Sequence, residues 1–187
     1  MKKLLILVII GAAIAGAGYL YVDRYGMPSS DGIKQAEAFK QLSIDEKRKK
    51  LPAYALNYIS GADVDKNFAE AVKQAQAQKK NIFLIAGGNW CKWCGNLDAF
   101  FDNNPDAFNA LYDNYVVVKA FYRFDKNKVD VDFFDKLPSV KATPHFYVFN
   151  KDGKLVTNIG SAKFEQGYGY NKRKMIQLLN KYNIKGL

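Results

Sequence analysis

Cysteine and histidine are almost missing from this chain. Its 187 residues hold two cysteines, Cys91 and Cys94, and one histidine, His145. A closed zinc site needs roughly four Cys or His ligands. Three such residues fall short unless a carboxylate joins them, so no metal and no other cofactor is expected. A c-type haem anchor needs His directly after the second cysteine; Gly95 stands there, which excludes it. No cysteine lies near the N-terminus, so a lipid-modified cysteine anchor is excluded as well. Acidic residues are the minority, 18 against 28 Lys and Arg, for a net charge of +10. Such an excess can serve nucleic acid, anionic membranes or only a soluble surface. The lysines are scattered, and the one dense run, KRKK from Lys47 to Lys50, has no aromatic-basic stripe around it. No nucleic-acid partner is expected, and the run reads as a solvated helix face. Internal repeats and low-complexity stretches are absent. What is present, 49% hydrophobic and 14% aromatic residues, suffices for a packed core and excludes a largely disordered chain.

Charge is missing altogether between Leu4 and Val22, a run long enough to span a bilayer as a helix. Lys2 and Lys3 precede it and favour a cytoplasmic N-terminus. Residues 1–23 therefore read as a membrane anchor, touching the membrane through residues 4–22. A cleaved signal peptide is the alternative, because Ala13-Ile14-Ala15 and Ala15-Gly16-Ala17 fit a small-residue cleavage site. The apolar run continues past both, which favours the anchor. Either reading exports the rest of the chain: a single-pass protein of the inner membrane with its domain in the periplasm or otherwise outside the cytoplasm, or a soluble exported one.

Residues 24–64 read as a linker with short helices. MPSSDG, Met27 to Gly32, is a breaker cluster; Ile33, Ala36, Phe39 and Leu42 then follow a helical spacing. SIDE, Ser43 to Glu46, matches a capping box, and Pro52 limits the helix after it. From residue 65 to 187 a single α/β domain is expected. Phe68, Ala71, Val72 and Ala75 lie on one helix face. NIFLIAGG, Asn81 to Gly88, is a buried-strand run ending in glycines. A helix with Leu97, Phe100 and Phe101 turned inward follows. Asn104 and Pro105 are the cap and first residue of the next helix. Tyr115 to Phe124 is a strand, DVDFFDKLPSV a short helix stopped by Pro138, and His145 to Gly160 a hairpin turning at Asn150 to Gly153. The last helix has Asn171 as cap and Met175, Ile176, Leu179 and Tyr182 as its apolar stripe. This order predicts a mixed central sheet flanked by helices, with parallel pairing early and an antiparallel hairpin late.

Both cysteines sit in GGNWCKWCG, Gly87 to Gly95, between the first strand and the helix after it. Their short spacing closes almost no loop, so a disulfide there adds little chain-entropy stabilisation. As a reagent the pair makes more sense. Cys91 at a helix start lies near N–H groups carrying about half a positive charge, and Lys92 adds a full charge next to it. Both favour thiolate over thiol. Cys94, one turn further in, is expected to be more buried. Cys91 would then attack a partner disulfide and Cys94 would resolve the mixed disulfide. Trp90 and Trp93 would wall the site and offer a flat apolar surface to a partner, although core packing is an equal reading for Trp93.

FLIAGGNWCKWC, with ATPHFYVFNKDGKL some way downstream, resembles the thioredoxin superfamily, in particular its exported and often membrane-anchored thiol–disulfide oxidoreductases. The resemblance spans Asp65 to Tyr182. It implies a thioredoxin-like three-layer sandwich and a cis Thr143-Pro144 bond facing the cysteines. It also implies that the backbone of Thr143 pairs with an extended substrate segment. The sequence departs from the family in two places. The buried Asp that thioredoxins carry in the strand before the motif is replaced by Ile85, which leaves Lys119 and water as unranked candidates to take the proton of Cys94. The residues between the cysteines are Lys92 and Trp93, so no redox potential carries over. His145, beside Pro144, could act on the thiolate or simply be packed. The expected partners are protein thiol or disulfide substrates and a redox partner that supplies or accepts electrons. Reduction is favoured over oxidation on resemblance alone. A thioredoxin-like binding module, or a copper-handling protein without redox turnover, is the alternative.

Overall fold

A computed structural model of the chain describes residues 30–124 and 131–185. The anchor or signal expected over residues 1–23 lies outside the described residues. No helix among the described residues is long and apolar enough to cross a membrane.

The run Asn81–Gly87 forms strand β1, and all of it is buried. A strand covered on both faces carries continuous rather than alternating apolar residues, and β1 accordingly lies inside the sheet. β2 (Tyr115–Phe121) pairs with it in parallel. β3 (His145–Phe149) pairs with its other edge antiparallel, and β4 (Leu155–Gly160) closes that side, giving the order β2-β1-β3-β4. Parallel pairing early and a late antiparallel hairpin are both present. The hairpin turns on Asn150, whose side-chain oxygen accepts from the amides of Asp152 at 3.0 Å and Lys154 at 2.9 Å. Gly153 there has a φ of +77°, which a side chain would strain.

Eight α-helices are described: α1 (Ser30–Lys40), α2 (Ile44–Lys50), α3 (Ala53–Leu56), α4 (Val64–Gln78), α5 (Lys92–Asn103), α6 (Pro105–Tyr112), α7 (Val131–Asp135) and α8 (Lys172–Lys181). Side chains alternate along a strand, so Phe146 and Phe149 of β3 point to opposite faces. Phe149 meets Phe68 of α4, ring centroids 4.7 Å apart. Phe146 meets Phe83, which meets Tyr115, whose hydroxyl donates to the Leu179 carbonyl of α8 at 2.7 Å. Helices therefore cover both faces of a mixed sheet. Ile82, Leu84 and Ile85 are sealed in its centre, each worth roughly 1.5–3 kcal/mol of burial.

The segment ahead of α4 carries three short helices, and Tyr54, Ala55 and Tyr58 are buried in the core. The capping box at Ser43 forms as expected, with Ser43 and Glu46 capping each other. Four details differ from expectation. The breaker cluster does not hold over its described part: Ser30, Asp31 and Gly32 already lie in α1. Gly32 is there for close approach, since a Cβ on it would stand 2.5 Å from the Ala77 carbonyl oxygen of α4. The KRKK run is not simply solvated: Lys47 is 1% exposed, with its ammonium 2.7 Å from Asn109 Oδ1 and 2.7 Å from Asp113 Oδ1. Arg48 lies over the Phe108 ring. Asn104 stands at the cap position of α6, but its side chain makes no cap hydrogen bond. It donates back to the Phe100 carbonyl at 2.8 Å, because Asn104 ends α5 as well as starting α6. Finally, a small hairpin of β5 (Glu165–Gln166) and β6 (Gly169–Tyr170) was not anticipated.

Candidate redox site

β1 runs out at Gly87, and α5 begins at Lys92 with Cys91 as its N-cap. Cys91 has extended backbone angles, and its sulfur accepts from the Cys94 amide at 3.2 Å. The cysteine side chain thus does the work usually given to Ser or Asp at a cap. It sits where the free N–H groups of the helix point. Both cysteines are free thiols. Cys91 is 8% exposed and Cys94 1%, so the second thiol is the deeper one. Burial, and then its hydrogen bond with Cys91, pushes the Cys94 thiol far above the ordinary value.

From the other side comes the loop before β3. Thr143-Pro144 is a cis peptide bond, and the Cys91 thiol donates to the Thr143 carbonyl at 3.5 Å. Pro144 is buried and Thr143 half-buried. Cys91, Cys94, Thr143 and Pro144 thus come together. Trp90 is 45% exposed at the rim. Its indole N–H donates to the Tyr122 carbonyl at 3.1 Å, and its ring meets Phe124 at 6.3 Å. Trp93 is half-buried and packs edge-on against Tyr170, whose hydroxyl donates to the Trp93 carbonyl at 3.2 Å. Trp93 thus packs on Tyr170 while keeping part of its surface exposed. Lys92 is exposed, and among the described residues no hydrogen bond or ion pair ties it to the sulfur. His145 faces away into β4: Nε2 lies 3.3 Å from Asn158 Oδ1 and the ring packs on Tyr147 at 4.8 Å. Burial lowers its proton affinity below the ordinary value of 6.5, against a smaller opposing pull from Asn158.

Behind Cys94, Lys119 of β2 is opposite Ile85 of β1 in register. Its ammonium is held by Asp98 at 2.7 Å and by the Leu56 carbonyl at 2.9 Å, and lies 5.4 Å from the centre of the Tyr58 ring. Burial raises the Asp98 carboxyl above the ordinary value, and Lys119 opposes this. Asp98, Tyr58, Tyr122 and Phe124 were not foreseen. For Asp98 a signal existed: it follows Cys94 by one helical turn, on the same face. For Tyr58 no local pattern points to the site. Among the described residues no group of three or more His, Cys, Asp or Glu could hold a metal ion.

A strand, a CxxC turn capping a helix and a cis-proline loop facing it are arranged in a thioredoxin-like α/β fold. Residues 63–151 match the protein family described as thioredoxin-like. The fold is also that of the disulphide isomerase from Xylella fastidiosa Temecula1, with a TM-score of 0.54 and 22% identity over 71% of this chain and 96% of that one. A thioredoxin-fold protein from Helicobacter pylori matches over 56% of this chain and 69% of its own, with 18% identity and a TM-score of 0.41. No curated protein gives a significant match.

Proposed function

We propose that the chain is a thiol–disulfide oxidoreductase that acts on protein disulfides through Cys91 and Cys94. The observation that carries this reading is the position of the Cys91 sulfur. It caps a helix, accepts the Cys94 amide and touches the Thr143 carbonyl. An anion on that sulfur faces amide donors, and a partner strand has a backbone edge beside it. In the reductive direction the Cys91 thiolate attacks a substrate disulfide. A Cys91–substrate bond forms, the substrate bond breaks, and the departing sulfur takes up a proton. Cys94 then loses its proton and attacks the Cys91 sulfur. The Cys91–Cys94 disulfide forms, the substrate leaves as a dithiol, and the domain has lost two electrons, which a reduced dithiol partner must return. Trp90 offers the apolar rim on which the substrate segment rests.

Cys94→Ser tests the reading. The variant should hold substrate proteins on Cys91 as mixed disulfides that reductant releases. A protein that only binds would trap none, and that result would refute the assignment. Reduction is the direction we favour, on resemblance; equilibration with glutathione decides it, and a potential near that of a strong oxidant, about −120 mV, reverses it. We further propose that residues 4–22 anchor the domain outside the cytoplasm. Protease protection of the domain in intact spheroplasts would contradict that placement.

A further inference from the structure

We propose that residues 53–58, which precede the matched stretch, are a working part of the redox site. Together with Asp98 they hold the Lys119 ammonium behind Cys94, so that the resolving thiol can pass its proton to Asp98 without any charge entering the buried site. This rests on the oxidoreductase reading above.

Three observations on separate elements converge. First, the Leu56 carbonyl and the Tyr58 ring supply two of the groups around Lys119, and Asp98 supplies the third. Lys119 itself is buried, its side chain 7% exposed. Second, Tyr58 and the Cys94 sulfur border the same glycine. A Cβ built on Gly87 would lie 2.6 Å from Cys94 Sγ and 3.3 Å from two atoms of the Tyr58 ring. The ring and the sulfur therefore close on the same point. Third, the Tyr58 hydroxyl is buried and has no hydrogen-bond partner among the described residues. A buried hydroxyl left so costs free energy, and here it stands among Cys94, Asp98 and Cys91, whose charges act on it.

The chemistry follows from charge conservation. Before transfer the site holds a neutral Cys94 thiol, an Asp98 carboxylate and the Lys119 ammonium. After transfer it holds a Cys94 thiolate, a neutral Asp98 carboxylic acid and the same ammonium. The proton leaves sulfur and arrives on the carboxylate oxygen, so the net charge is unchanged. Burial opposes a thiolate at Cys94 and also lifts the proton affinity of Asp98, which makes that carboxylate a better acceptor. A hydroxide arriving from solvent would instead add a charge to a site where charges are expensive. Once the new disulfide forms, the acid returns its proton to the departing substrate thiolate or to water. Other charged groups bear on the pair. Asp102 on α5 raises and Arg48 on α2 lowers the Asp98 value, each less than Lys119 does. Tyr170 faces the two cysteines from β6. Among the described residues the Lys119 ammonium pairs with no carboxylate other than Asp98.

The test uses the full chain and separates the two halves of the reaction. Cys91 is loaded with a disulfide-linked model peptide, and release of the peptide by Cys94 is followed from pH 5.5 to 9. Asp98→Asn and Lys119→Met should each slow release at pH 7 by roughly 10²-fold, while iodoacetamide labels Cys91 at an unchanged rate. In Asp98→Asn, release should climb tenfold per pH unit as hydroxide replaces the lost acceptor; in the parent the rise is shallower. Tyr58→Ala should show the same steep profile, and Tyr58→Phe, which keeps the ring, should lose less. A merely structural role would alter stability without steepening the pH profile. If the parent releases peptide but Asp98→Asn matches it in rate and profile, this inference is overturned and the oxidoreductase reading stands. If the parent itself never forms or resolves the mixed disulfide, both are overturned.

Discussion

Gly87→Ala is the smallest change that should injure the site. Gly87 ends β1, and its backbone does not need a glycine: among the described residues the glycines with positive φ are Gly61, Gly153 and Gly167. The constraint is space. The new methyl would stand 2.6 Å from Cys94 Sγ and 3.3 Å from the Tyr58 ring, whereas non-bonded heavy atoms settle about 3.5–4.0 Å apart. Something must therefore retreat by about an ångström. Neither neighbour can do so freely. Cys94 is 1% exposed and its amide is tied to Cys91; Tyr58 is 3% exposed. Overpacking of this kind costs roughly 1–3 kcal/mol. With a urea slope of about 2 kcal/mol/M, the unfolding midpoint should fall by about 0.5–1.5 M. The displaced sulfur should also resolve a mixed disulfide more slowly. Gly95→Ala is the matched control. It lies in α5 with nothing within 4 Å of its Cβ, so it should gain up to about 1 kcal/mol of helix propensity. Urea titrations of the reduced proteins read both. Should Gly87→Ala unfold within about 0.5 kcal/mol of the parent, as a surface change would, the packing argument at Cys94 is wrong.

Lys47→Met should cost about 3 kcal/mol, because it strands Asp113 and Asn109 opposite a fully buried methyl group; a loss under about 1 kcal/mol, measured by denaturant titration, would mean that the pair behaves like a surface ion pair. His145 should make the fold acid-sensitive. Its folded-state proton affinity is lowered by burial from the ordinary 6.5, so the unfolded chain binds the proton first as pH drops through 6.5. Stability should then fall with pH below that point until the folded-state value is passed, and His145→Phe should flatten that stretch of the stability–pH curve; an unchanged slope would contradict the assignment.

The parts of this molecule that were legible in its sequence are those fixed by local rules. A continuous apolar run marked β1, a Ser-x-x-Glu box marked α2, and the paired Asn and Gly marked the β3–β4 turn, since each is decided by residues within one turn or strand. The cysteine pair was legible for the same reason: spacing and a following helix specify where Cys91 sits. The groups behind Cys94 obey no such rule. Tyr58 reaches Gly87 across about thirty residues of chain, and Lys119 meets Leu56 across more than sixty. Only the closing of α3 onto β2 makes them neighbours. Lys47 shows the same limit from the other direction. In a run of four basic residues it looks solvated, yet Asn109 and Asp113, one helical turn apart near the end of α6, draw it in. Long-range polar partners are what periodicity cannot encode, because a hydrophobic pattern says which face is buried and not which charge will be waiting there. Hence the placement of Cys91 could be read from nine consecutive residues, while the groups around Cys94 had to be read from three elements at once.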